Sequence, residues 1–178
     1  WLAGIIDGEG SIYLAHQYGS NREHPELGPR TFVRCGISIT NTDPRMIQKI
    51  SDIWYRLGLK FYFGPQKMWD GMQIATFGYG NCKKLLQIMS PYLIAKQDQA
   101  ELMLQYIEEV VGLRPDIGAT ESLERQKNAK LKLIGLQTSY FNLFQKMHKR
   151  KFNLQRLSRK ANRPLDPKQV WRLVIESI

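Results

Sequence analysis

Two stretches of strict alternation constrain this chain more than any other feature of it. In Ser11–Tyr18, Ile12 and Leu14 stand against Ser11, Tyr13, Ala15 and Gln17. In Thr31–Thr40, Val33, Cys35, Ile37 and Ile39 stand against Phe32, Arg34, Gly36, Ser38 and Thr40. Successive side chains of a strand point to opposite faces, so a period of two with one apolar face predicts a hairpin buried on one side and polar on the other. Gly19 to Arg30, rich in Gly, Asn, Pro and charge, reads as its long polar tip.

The flanking segments change period. Trp1–Asp7 reads as a short apolar helix that Gly8 and Gly10 stop. Thr42-Asp43-Pro44 is a helix start, since Asp caps free N–H groups and proline is tolerated in the first turn. From there Met46, Ile47, Ile50, Ile53, Trp54 and Leu57 keep the three-four spacing of a buried helix face up to Gly58. A second hairpin is predicted from Leu59–Phe63 and Trp69–Phe77, joined through Gly64-Pro65, with Gln73 and Ala75 alternating against Met72 and Ile74. Asn81–Met89 reads as a helix, Pro91 interrupts, and Gln97–Val111 resumes. From Thr120 the period stays helical, with Leu131, Ile134, Tyr140, Phe141, Phe144 and Met147 as packing residues, and Pro167 opens a last helix. The order is αββαββαα without an internal repeat, an α+β class. The reading is one domain, with a core over 1–112 and a basic helical C-terminal extension over 113–178.

Charge narrows the partner. The chain has a formal net charge of +10 and a pI near 9.7. Residues 125–163 hold twelve Lys or Arg and no Asp or Glu, against ten and seven in residues 1–95. That excess favours a polyanion, with a solvated helix surface as the plainer alternative. No apolar run is long enough to cross a bilayer, and no export signal is visible. The first residue already lies inside a motif, so the native N-terminus is expected to extend beyond it. Cys35 and Cys82 lack C-x-x-C spacing, which suggests neither a zinc site nor a disulfide framework and fits a reducing compartment.

The chemistry sits in the first ten residues. Glu9 stands at a helix end followed by glycine, where a carboxylate reaches past the backbone towards a substrate lying across that end. Phosphodiester hydrolysis needs charge neutralisation, an activated water and help for the leaving oxygen, all of which a carboxylate-bound divalent metal supplies. Hard oxygen ligands favour Mg²⁺ over Zn²⁺. Gly4 and Gly8, one helical turn apart, let two helix backbones approach closely, with an ordinary buried helix as the alternative. A polar helix terminus is likewise the plain reading of an isolated Asp-Gly-Glu-Gly.

Leu2-Ala3-Gly4-Ile5-Ile6-Asp7-Gly8-Glu9-Gly10 resembles the nine-residue motif that names the LAGLIDADG homing endonucleases, of the single-motif, homodimeric type, with Glu in the last acidic position. Pro91-Tyr92-Leu93-Ile94-Ala95-Lys96-Gln97, followed by Gln99-Ala100, looks like the lysine-bearing stretch of that family. The resemblance covers roughly residues 1–112. It implies an αββαββα fold with a concave antiparallel DNA-binding sheet and C-terminal helices. Glu9 and the Gly8 carbonyl would bind Mg²⁺, and Ala3, Gly4 and Gly8 would lie at the dimer interface. Lys96 matches the active-site lysine, and Asn41 and Arg45 match positions near the metal-bound water, although the family often has Gln at the first of these. Asp7 is read as a helix cap or a support of the site and is not assigned as a ligand.

The sheet face opposite the apolar one would read base edges in the major groove, where Arg and Gln discriminate through paired hydrogen bonds. Tyr13, Gln17, Arg34, Ser38, Thr40 and Gln73 are its candidates, with Arg22 and Arg30 on the first hairpin and Lys60, Tyr62 and Lys67 on the second. The implied activity is site-specific double-strand DNA cleavage by metal-activated water at a long pseudo-palindromic site. The implied partners are double-stranded DNA and a second copy of the chain, with no membrane and no small-molecule cofactor. A fold relative that binds nucleic acid without cutting it, an RNA maturase or a transcription regulator, is the alternative. An intron-encoded origin is expected, in an organelle (chloroplast or mitochondrion) or in prokaryotic cytoplasm.

Overall fold

The computed structural model describes residues 1–19, 30–66, 70–113 and 123–161. Its elements are α1 (Leu2–Glu9), β1 (Gly10–Gly19), β2 (Arg30–Asn41), α2 (Pro44–Arg56), β3 (Phe61–Pro65), β4 (Met72–Phe77), α3 (Tyr79–Met89), a 3₁₀ turn (Ser90–Tyr92), α4 (Gln97–Leu113) and α5 (Leu123–Ala161). The strands form one antiparallel sheet in the order β1-β2-β4-β3. This is the expected α+β order. Among the described residues no helix is long and apolar enough to cross a membrane.

The alternation of the first hairpin becomes its burial. Ile12 pairs with Ile37 and Leu14 with Cys35, and all four are buried together with Val33, Ile39 and, in β4, Ile74. Helices cover this face. Ile47, Ile50 and Trp54 of α2 are fully buried, and the Trp54 and Phe61 rings meet edge-on at 6.0 Å. Tyr106 of α4 donates its hydroxyl to the Val33 carbonyl at 3.3 Å. Cys35 and Cys82 are free, buried thiols.

The second hairpin is shorter than predicted at its start, and the helix before it explains why. Gly58 takes φ 64°, and the N–H groups of Gly58 and Leu59 bond back to the carbonyls of Tyr55 and Trp54 at 2.8 and 3.0 Å. That double bond closes α2 and commits the backbone of Leu59 to a helix cap. The strand therefore begins at Phe61. Pro65 is tolerated because β3 is the edge strand. Trp69, expected to open the fourth strand, lies outside the described residues.

A similar shift occurs in α1, which runs to Glu9 instead of ending at Asp7. The Gly10 N–H closes it on the Ile5 and Ile6 carbonyls. A Cβ on Gly10 would meet the Ile6 carbonyl oxygen at 2.7 Å, so Gly10 is the residue that has to be glycine for the helix to turn directly into β1.

Residues Trp1–Phe141 form one compact unit and Asn142–Ile178 a second. The first unit includes the start of α5. The Tyr140 ring lies 5.4 Å from that of Tyr106, and Phe141 packs edge-on against His16 of β1 at 4.1 Å. In the second unit α5 continues to Ala161. The helix expected from Pro167 lies outside the described residues.

Candidate functional site

The C-terminal end of α1 gathers four of the five expected catalytic or metal-binding positions, all but Arg45. Glu9 is exposed at the last helical residue, and its Oε2 accepts a 2.8 Å bond from the Asn41 amide. Asn41 ends β2, and its own Oδ1 accepts the Asp43 N–H at 2.8 Å. The side chain is thereby fixed in the orientation that turns its amide towards Glu9. Gly8, one residue before Glu9, sits in the same last turn.

Lys96 arrives from the turn before α4. Its Nζ donates to the Ile6 carbonyl at 2.8 Å and to the Asp7 carbonyl. These are among the helix's last carbonyls, where the macrodipole favours a cation. Asp7 reciprocates. Its Oδ2 accepts from Ile94 N–H at 2.6 Å and its Oδ1 from Lys96 N–H at 2.9 Å. Burial alone would raise the Asp7 carboxyl, but the N–H groups of Ile94, Ala95 and Lys96, with the Lys96 charge, hold it below its ordinary value.

Arg45 is not brought to Glu9 by any bond of its own. Its Nη2 pairs with Asp43 Oδ2 at 2.8 Å and its Nε with Oδ1 at 3.1 Å. The Asp43 carboxyl, which also caps the Arg45 N–H at 2.9 Å, is held below its usual value by those bonds. The Arg45 side chain is 91% exposed. It is thus linked to Glu9 only through Asp43 and Asn41. The bridging role of Asp43 was not foreseen, since the sequence shows it only as a helix cap.

The outward face of α1 is open. Gly4 and Gly8 are exposed, and a Cβ on either would meet nothing within 4 Å. Ala3, expected beside them, is only 6% exposed and packs inward with Leu2 and Ile6. It belongs to the core of the single chain, while Gly4 and Gly8 lie on the open side.

On the sheet, the register places Tyr13, Arg34, Ser38, Thr40, Gln73 and Tyr62 on the face opposite the core. They are not equivalent there. The Tyr13 ring lies across Gly36, where a Cβ would stand 2.8 Å from it. Burial pushes the Tyr13 hydroxyl above its ordinary value, against a hydrogen bond with Ser38 and the charge of Arg34. Ser38 is 7% exposed and stands beside the Tyr13 hydroxyl, to which it is hydrogen-bonded. Arg34 stacks its guanidinium 3.7 Å from the centre of the Phe77 ring. Phe77, which sequence reasoning passed over, shares the face of Gln73 and Ala75 by the same alternation. Thr40 and Gln73 are directly paired and half-exposed, and Tyr62 is 50% exposed. Lys60 precedes β3 and is exposed. Gln17 and Arg30 lie in the paired outer ends of β1 and β2, while Arg22 and Lys67 fall outside the described residues.

Among the described residues no three His, Cys, Asp or Glu side chains converge. The donor set at the α1 end still suits a hard divalent cation in its chemistry, being an exposed carboxylate and a backbone carbonyl with no sulfur or imidazole. Among the described residues, Glu9 is the one such carboxylate at this helix end. Asp7 has both oxygens engaged by backbone N–H groups.

No protein-family model matches the chain, and no curated protein does. Solved structures do. The archaeal intron-encoded homing endonuclease I-Vdi141I, complexed with DNA, is 16% identical over 79% of this chain and 80% of that one, with a TM-score of 0.53. The meganuclease I-SmaMI, bound to uncleaveable DNA, is 13% identical over 77% of this chain and 42% of its own, with a TM-score of 0.51. The LAGLIDADG meganuclease I-CpaMI, bound to uncleaved DNA, is 19% identical over 76% and 42%, with a TM-score of 0.50.

Proposed function

We propose that this chain, whose fold is that of the LAGLIDADG homing endonucleases, is a Mg²⁺-dependent, site-specific DNA endonuclease that works as a homodimer. The observation that supports this reading most is the convergence at one helix end of an oriented carboxylate, Glu9 held by Asn41 at 2.8 Å, and an ammonium, Lys96 on the Ile6 carbonyl at 2.8 Å. A protein that only bound nucleic acid would gain little from an acidic residue facing phosphate.

In this reading Glu9 and the Gly8 carbonyl hold the metal. When bound, a divalent cation neutralises phosphate charge and makes a water acidic enough to act at neutral pH. Asn41 keeps the Glu9 carboxylate in one orientation, and Lys96 adds positive charge where the phosphate gains negative charge. Arg45, tied to Asp43, acts at most by holding the Asp43–Asn41 link. Two strands ask for two carboxylates. A twofold pair of chains, with α1 laid against its twin along Gly4 and Gly8, supplies both from one motif each. Arg34, Thr40 and Gln73 are then the principal base readers, and two related half-sites make the target pseudo-palindromic.

Purified protein incubated with a library of long duplex sites, with Mg²⁺ or with EDTA, tests the proposal. Cleavage of both strands with Mg²⁺, lost in EDTA and in Glu9→Gln while site-specific binding survives, is expected. Specific binding without any cutting would make the chain a non-cleaving binder.

A further inference from the structure

We propose that Asp7 is a positioning residue for Lys96, holding the 94–96 turn so that the Lys96 ammonium stays on the last carbonyls of α1. The inference rests on the role given to Lys96 above. The motif alone gives Asp7 as a helix cap or a support of the site, without the residue through which it acts.

The bonds are reciprocal. The Asp7 side chain accepts from the Lys96 backbone at 2.9 Å, and the Lys96 side chain donates to the Asp7 backbone. A lysine on its flexible stem is a poorly confined charge unless both its ends are held. The helix carbonyls hold the ammonium end. The backbone end lies between the buried Leu93 and the first bond of α4, from Ala100 N–H to the Lys96 carbonyl at 3.0 Å, and crosses Ile94, which is 90% exposed. Over that span the Asp7 carboxylate accepts Ile94 N–H at 2.6 Å and Lys96 N–H at 2.9 Å. An ionised acceptor on N–H groups that precede a helix is a strong, directional anchor. With Oδ1 and Oδ2 both engaged there, Asp7 acts on the site through Lys96 and not on the substrate.

The test is a double-mutant cycle with Asp7→Asn and Lys96→Met, reading single-turnover cleavage, DNA affinity and amide hydrogen exchange at Ile94 and Lys96. Asp7→Asn keeps the shape but loses the charge and one acceptor. It should slow cleavage about tenfold or more, leave Kd within about twofold, and speed exchange at both amides. In the Lys96→Met background it should slow cleavage little further. Asp7→Ser, too short to span both N–H groups, should give the same pattern and serves if Asp7→Asn is too unstable to assay. An equal slowing by Asp7→Asn with and without Lys96 would overturn the proposal, as would unchanged exchange at Ile94 and Lys96. If the parent chain does not cut DNA at all, the functional reading fails, and amide exchange alone then decides whether Asp7 holds the turn.

Discussion

The end of α1 and the open face of the sheet are held by different means. At the helix end three polar side chains are fixed by backbone, Lys96 by the Ile6 and Asp7 carbonyls, Asp7 by the Ile94 and Lys96 N–H groups and Asn41 by the Asp43 N–H, and Glu9 is held through Asn41. On the sheet they are fixed by neighbouring side chains, Tyr13 by its bond with Ser38 and Arg34 by the Phe77 ring. Backbone positions do not change with substitution elsewhere in the way side-chain surfaces do. The first arrangement suits chemistry, which tolerates little displacement, and the second suits recognition, which has to differ between targets.

The largest expected effect separates two cations that the sequence treats alike. Lys96→Met should slow cleavage by about 10²–10⁴-fold, because it removes the charge held at the helix end. Arg45→Ala should change the rate by no more than about threefold, since an exposed pair with Asp43 contributes little. Single-turnover rates with saturating protein decide. Equal losses for the two would put Arg45 in the reaction and erase the distinction drawn from its bond to Asp43.

On the sheet the effects should be smaller and confined to particular base pairs. Arg34→Ala should cost about 1–3 kcal/mol of discrimination at one position of each half-site. Phe77→Leu leaves the guanidinium in place but removes the ring beneath it, so preference at that same position should weaken by less, about 0.5–1 kcal/mol. Selection from a library with each base pair varied in turn reads both. If Phe77→Leu relaxes a different position from Arg34→Ala, the stack does not orient the arginine.

Much of this was legible in advance, and for identifiable reasons. The β1–β2 face assignment followed from alternation because one residue of slip would have exposed Ile12, Leu14, Ile37 and Ile39 together. Glu9, Lys96 and Asn41 were singled out by resemblance, but their arrival at one helix end was not legible, because it depends on bonds between Glu9 and Asn41, 32 positions apart, and between Ile6 and Lys96, 90 apart. The start of β3 was misplaced because Leu59 looks like a strand residue and its backbone commitment to Trp54 depends on the φ of Gly58. The cover over Ser38 was not legible, because alternation gives a face and not what covers it. Which of the motif's small residues meets the core, Ala3, and which stay open, Gly4 and Gly8, was not legible, because small residues on a helix look alike until it is known which side is covered.

For the motif's glycines the sign of the effect is the test. Gly4 and Gly10 are interchangeable as residue types and opposite in setting: a Cβ meets nothing within 4 Å at Gly4 but stands 2.7 Å from the Ile6 carbonyl oxygen at Gly10. Alanine favours a helix over glycine by about 0.8–1.0 kcal/mol, so Gly4→Ala should raise the stability of the separate chain by up to that amount. Gly10→Ala forces α1 and β1 apart and should lower it by about 1–3 kcal/mol. Thermal or denaturant unfolding at low protein concentration compares them. If α1 pairs with its twin along Gly4, the same Gly4→Ala should weaken self-association in sedimentation, and Gly4→Leu should abolish it, while the fold of each chain survives. A Gly4→Leu chain that still forms the parent dimer would place the contact between copies on another surface, leaving the open glycine face of α1 without the role proposed for it.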